Sequence, residues 1–197
     1  VMLREPPGRR YVNWMSPCPA SHRTALLSRE FAQRMARVDV AEPIERRFAA
    51  SGRRSPGIQA MQTDLQSYLP DDLLAKVDIT SMAHALECRA PFLDHRVVEL
   101  AIGFPFAFLT AGTGAKPMLT ESFPQLVPPD LRSRPKAGFS VPLDDWFRGA
   151  LRPLAHDVLL SAASLGRGYF DPQALRGLLQ QPDTGSWGHG RRIWALL

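Results

Sequence analysis

Cysteine is scarce in this 197-residue chain. Cys18 and Cys88 are the whole supply, too few for a disulfide framework and in keeping with a reducing, cytoplasmic compartment. No apolar run approaches the roughly 20 residues that a membrane span needs. The opening "VMLREPPGRRYVNW" lacks the apolar stretch of a secretory signal. Strand signals are equally thin: there is no useful two-residue alternation and no strand leading into a phosphate-binding glycine loop. Basic residues never run five or six together and are not interleaved with aromatics. The net charge of +5 and pI near 9.8 therefore do not read as a nucleic-acid surface, although they suit an anionic small ligand. Lysine is the last shortage. Nearly all the positive charge is arginine, and only Lys76, Lys116 and Lys136 break the habit, the latter two beside glycine in "GTGAKP" and "RPKAGFS".

What is present is an ordinary globular composition, 45% apolar and 22% charged, enough for one good-sized domain or a piece of a larger one. Periodicity predicts a mainly α fold. "HRTALLSREFAQRMA" and "PIERRFAAS" carry apolar residues at helical spacing. After the break "SGRRSPG", the segment "IQAMQTDLQSYL" sets Ile58, Met61, Leu65 and Leu69 on one stripe. "DDLLAKV" reads as a short helix with acids in its first turn, and "ITSMAHAL" as another capped by Asp78 or Thr80. Pro91 forces Ala90 to be extended, Asp94 caps "HRVVELAIG", and Gly103 closes it. "FPFAFLTAGTGA" reads as loop, and Pro117 starts "PMLTESF". Pro142 opens "PLDDWFRGALRPLAHDVLL" with Leu143, Trp146, Phe147, Leu151 and Leu154 as its packing stripe, kinked or split by Gly149 and Pro153. Asp171 and Pro172 cap "QALRGLLQ", and "GRRIWALL" is a final helix.

Three groups of residues offer chemistry. His84, Glu87 and Cys88 are spaced at i, i+3 and i+4, a weak pattern for a metal, and no metal site is assigned to the side chains. Glu87 and Arg89 stand between an apolar helix and the enforced break at Pro91. They either satisfy a helix end or serve a site held rigidly there. Lys136, on a loop stiffened by Pro135 and Gly138, is either solvated or placed to stabilise developing negative charge.

Taken together, "YLPDDLLAKVDITSMAHALECRAPFLDHRVVELA" (68–101) and "RPKAGFSVPLDDWFRG" (134–149) resemble the synthetase domain of the glutamine-dependent asparagine synthetases. "LGRGYFDPQAL" and "RRIWALL" are also similar. The resemblance is strongest over 58–150, continues through a helical tail over 151–197, and is looser over 1–57, where "RRYVNWMS" is the best anchor. It implies the helical C-terminal portion of an α/β, pyrophosphatase-loop type synthetase domain. The implied reaction is ATP-dependent amidation of aspartate through a β-aspartyl-adenylate, with ammonia from glutamine. The implied partners are small-molecule substrates and an N-terminal glutaminase domain of the same parent chain, with no nucleic acid or membrane, and with a homodimer as a possible assembly.

The resemblance gives Lys136 a charge-stabilising role at the acyl and phosphate centre and Glu87 a role supporting the acid/base residue. Arg89 and Gly138 follow as substrate-binding positions. It also exposes departures. The family's Ser-Gly-Gly-x-Asp-Ser pyrophosphate loop, its Ser-Gly-Glu-Gly-Ser-Asp-Glu stretch and the N-terminal cysteine of its glutaminase are absent. ATP and Mg2+ are therefore expected to be held mainly by parts of the parent outside these residues, and the isolated chain is expected to be inactive. "AKPMLTES" carries Pro117 and Thr120 where the family tends to have an aromatic and an arginine, which weakens any phosphate role for Lys116. A relative acting on another carboxylate, in β-lactam or lasso-peptide formation, remains an alternative, as does a non-catalytic helical module.

Overall fold

Short polar side chains written into the sequence set where many of the helices begin. Ser28 accepts from the Phe31 amide at 3.1 Å, Ser55 from Ile58 at 3.5 Å, Ser161 from Ser164 at 3.1 Å and Asp171 from Ala174 at 2.8 Å. The computed structural model describes residues 4–52, 54–111, 116–132, 141–180 and 188–197. Its helices are α1 (Pro7–Met15), α2 (Ala20–Leu26), α3 (Arg29–Met35), α4 (Glu42–Ala50), α5 (Pro56–Gln66), α6 (Ala75–Met82), α7 (His95–Gly103) and α8 (Phe106–Thr110). They continue as α9 (Pro117–Ser122), α10 (Pro129–Arg132), α11 (Leu143–Arg148), α12 (Arg152–Leu159), α13 (Ala162–Gly166), α14 (Pro172–Gln180) and α15 (His189–Leu196). No strand occurs among the described residues, so the mainly α reading holds there; a single antiparallel bridge joins Leu27 to Phe170.

The chain forms two compact units. The first comprises residues 1–11 and 41–138. Its core gathers Tyr11, Phe48 and Ile58, with the Tyr11 and Phe48 rings 5.6 Å apart. Gly57 lets Phe106 lie against α5: a Cβ there would sit 2.4 Å from the ring. The segment 104–111, expected to be loop, contains the short helix α8, and Phe104 stacks on Phe108 at 5.2 Å within it. Apolar packing overrides the turn signals there.

The second unit comprises residues 12–40 and 139–197. Phe147, Ala155, Leu159, Leu179 and Ile193 form its core, with Leu143 and Leu151 packed against it. The expected stripe on α11 and α12 is thus half right. Trp146 and Leu154 face outward, because the chain splits at Gly149 and the two short helices present different faces. The expected single helix over 22–36 also divides. Leu27 is extended, and the Ser28 amide donates to Tyr169 O at 3.0 Å while the Asp171 amide donates to Leu26 O at 2.9 Å. Tertiary pairing with 168–171 wins over local propensity, and Ser28 then caps α3.

Helices α11 and α15 pack against each other, most closely at Gly190. A Cβ on Gly190 would lie 2.4 Å from the Leu143 carbonyl carbon. The Asp144 carboxylate accepts from the Gly190 amide at 2.6 Å and so caps the first turn of α15. His189, beside it, has its proton affinity pushed down by burial and by Arg148, against the pull of Asp144.

Candidate functional site

The stretch that carries the resemblance begins with a helix forced to change its winding. Pro70 has no amide to donate, and its ring would crowd the carbonyl four residues back. The chain answers with an irregular Ser67 (φ −140°, ψ −78°) and a wide π-helical turn over Leu69–Leu74 before α6 resumes. Two buried polar contacts anchor this junction. The Ser67 hydroxyl donates to Thr63 O at 2.6 Å, and the Tyr11 hydroxyl donates to the Asp64 carboxylate at 2.5 Å. Burial first, and then Asp64, pushes the Tyr11 phenol well above its ordinary range, so it stays a donor. Beyond the π turn Lys76 reaches back to Asp72 at 3.7 Å, an exposed pair worth little. Asp78 or Thr80 was expected to be a cap, but both lie inside α6, where Thr80 donates to Lys76 O at 2.7 Å.

The end of α6 corrects a second expectation. The helix does not run on to a break at Pro91; its last helical residue is Met82, and the chain reverses at Ala85. The Leu86 amide donates to Ser81 O at 3.0 Å and the Ala85 amide to Met82 O at 2.9 Å, the bonding of a Schellman C-cap. Ala85 takes the left-handed position (φ 55°) that glycine usually fills, at a cost of about 1 kcal/mol. Replacing it with glycine is therefore expected to raise stability by roughly 0.5–1 kcal/mol, read as a shift in the urea midpoint at constant slope.

This early stop decides what Glu87 and Arg89 can do. Both lie on the non-helical run 86–90, where alternate residues share a side. Their side chains accordingly meet, Arg89 Nε donating to Glu87 Oε1 at 2.8 Å and Nη2 lying at 2.7 Å from the same oxygen. Both are mostly exposed, 68% for Glu87 and 85% for Arg89, so the pair is a surface feature here and contributes little to stability. The i, i+3, i+4 helical geometry does not exist for His84, Glu87 and Cys88, since residues 83–85 are turn and 86–90 are outside any helix. Cys88 is exposed and Cys18 is partly covered, its thiol raised by burial against the pull of Arg23 and Arg192.

Pro91 opens a single 3-10 turn over Pro91–Leu93 and leads into Asp94, which caps α7 as expected by accepting from the Arg96 amide at 2.9 Å. The Arg96 guanidinium also grips Asp94, at 2.9 and 2.8 Å, and holds its carboxyl below the usual carboxylate range. Lys136 and Gly138 lie outside the described residues. No three His, Cys, Asp or Glu side chains converge on a metal position among the described residues. The sequence reading missed Tyr11–Asp64 and Asp144–Gly190, contacts across 53 and 46 residues that no local pattern announces.

What the described geometry does provide is a chain of specific local choices over 68–101, the same segment that carries the longest motif. Beyond the motifs, the profile of the asparagine synthase family matches residues 4–197, nearly the whole chain. The chain belongs to that family. It is 33% identical over 160 residues to a putative glutamine-hydrolysing asparagine synthetase of Mycobacterium tuberculosis, covering 81% of this chain and 24% of the relative. A Bacillus subtilis asparagine synthetase is 28% identical over 150 residues, covering 76% of this chain and 23% of its own length. The human glutamine-hydrolysing asparagine synthetase is 36% identical over 98 residues, covering 46% and 17%. No solved structure matches. The chain therefore spans about a quarter of the length of the bacterial relatives. No described helix is long and apolar enough to cross a membrane.

Proposed function

We propose that these residues are the helical C-terminal share of a glutamine-dependent asparagine synthetase acting in the cytoplasm. The parallel sheet, the nucleotide-binding loop and the glutaminase domain would lie in other parts of a longer protein. The observation that carries this reading is the family match across residues 4–197 together with the two long motif stretches in order, 68–101 and 134–149. In the full reaction ATP activates the aspartate side-chain carboxylate as an adenylate with release of pyrophosphate, and ammonia then displaces AMP. Negative charge accumulates at phosphorus and on the acyl oxygen, and the attacking ammonia must lose protons. This chain's part is electrostatic and positional. The Lys136 ammonium meets the developing charge, with Gly138 as a substrate-binding position beside it. Glu87 orients a base supplied by another segment, and Arg89 holds Glu87 or a substrate carboxylate. The exposure of the Glu87–Arg89 pair fits this, because two charges with one oxygen contact between them are available to further partners.

The test is aspartate-dependent pyrophosphate release, followed with ATP, magnesium and ammonia. The full translation product of the gene is expected to release pyrophosphate and form asparagine, and the 197 residues alone to do neither. Asparagine formed by the 197 residues alone would overturn the division of labour. Release driven by another carboxylic acid but not by aspartate would instead favour a β-lactam or lasso-peptide type relative. A full product that turns over no acid would leave a helical module without chemistry.

A further inference from the structure

The motif-bearing part of the first unit buries almost nothing. Neither α6 nor α7 contains a single buried residue, although both are rich in apolar side chains. Phe92 is 66% exposed and Leu100 64%. Helices of eight and nine residues do not persist in water on propensity alone and normally owe their stability to a covered apolar face. Beside α7 this surface folds into a cleft of about 640 Å³, walled by Phe92, Val97, Leu100, Phe104, Leu119 and Phe123. The one charged residue on its described wall is Lys116. That lysine sits in the left-handed backbone region (φ 57°, ψ 53°), which side-chain-bearing residues rarely adopt. Among the described residues its ammonium has no carboxylate partner.

We infer that this cleft receives an apolar segment bearing a carboxylate, contributed by the part of the longer protein that these 197 residues do not include. The inference rests on the reading above, in which the chain is one share of a longer synthetase. Three observations select that occupant. The bacterial relatives run about four times the length matched here, so the chain's relatives have ample additional sequence to cover the face. The walls ask for apolar side chains, and covering them removes exposed aromatic and aliphatic surface from water. A lone cation at the edge of an apolar cleft asks for a carboxylate, which gains strength as water is excluded. A second copy of this chain is a poorer partner, because each copy carries a net charge of +5.

The experiment is thiol footprinting on the full translation product, with alkylation read at each site by mass spectrometry. Leu100→Cys and Phe92→Cys are compared with Arg46→Cys, an exposed position on α4 that is not part of the cleft wall. The two cleft thiols are expected to label at least about tenfold more slowly than position 46, at every protein concentration. Adding Lys116→Glu is expected to bring the Leu100→Cys rate up towards that of position 46. Equal rates at the three positions would overturn the inference, as would protection that vanishes on dilution, which would mark a second copy. Protection indifferent to Lys116→Glu would overturn the carboxylate-bearing occupant. Pyrophosphate release by the same preparations reports on the functional reading separately, so a covered cleft in an inactive protein and an open cleft in an active one are distinct results.

Discussion

Lys136→Ala in the full-length protein is expected to lower aspartate-dependent pyrophosphate release by about a hundred- to a thousandfold, the usual effect of losing one preorganised donor at a developing charge. The fall should appear in kcat, with little change in KM for aspartate, because the charge that Lys136 meets exists mainly in the transition state. Lys136→Arg is expected to restore only part of the rate, since a planar fork does not replace a compact ammonium. Glutamine hydrolysis in the same preparation is the internal control, as it belongs to another domain in the proposed assignment. Synthesis unchanged by Lys136→Ala would remove this residue from the reaction. A chain that uses arginine almost everywhere keeps lysine at this position.

Gly190→Ala is expected to destabilise the second unit by about 3 kcal/mol. Overpacking a tight core contact costs roughly 1–3 kcal/mol, and a hydrogen bond to a charged group contributes roughly 1.5–3 kcal/mol. The methyl group would sit 2.4 Å from backbone atoms of Leu143 that have no rotamer to escape into, so α15 must lift. Lifting it breaks the 2.6 Å bond from the Gly190 amide to Asp144. Trp146 on α11 and Trp194 on α15 report the change through fluorescence during urea unfolding. Gly177→Ala supplies the opposite sign. Nothing lies within 4 Å of a Cβ at Gly177, inside α14, and removing an interior helix glycine there should stabilise by roughly 0.5–1 kcal/mol. Equal effects at the two glycines would show that the α11–α15 contact is looser than described.

The sequence made some features plain and hid others for identifiable reasons. Helix starts marked by a polar cap were legible at α7 after Asp94 and at α14 after Asp171, while the Ser55 cap of α5 was hidden in a stretch that read as a break. The split between α11 and α12 was legible in Gly149 and Pro153. The division of 22–36 was not, because the reason for it lies at residues 168–171, more than a hundred positions away. The π turn over Leu69–Leu74 was not legible either, since a proline predicts a disturbance but not which wider winding absorbs it. For the candidate site, the motif could be read but its geometry could not. A reversal at Ala85 breaks the rule that glycine marks such positions, and this moved Glu87 and Arg89 from a helix end to an extended run. Resemblance, not local pattern, assigned Lys136 and Gly138 their parts.

The bond between Asp144 and Gly190 has a consequence for how the chain tolerates shortening. Asp144 belongs to the second motif stretch, "VPLDDWFRG", and its carboxylate is spent on holding the first turn of the final helix. Ile193, 2% exposed, closes the core that Phe147 and Leu159 begin. The last ten residues are thus a wall of the second unit and not a trailing end. A product stopping before Gly188 would keep both long motif stretches, 68–101 and 134–149, and still lose the surface against which α11 packs.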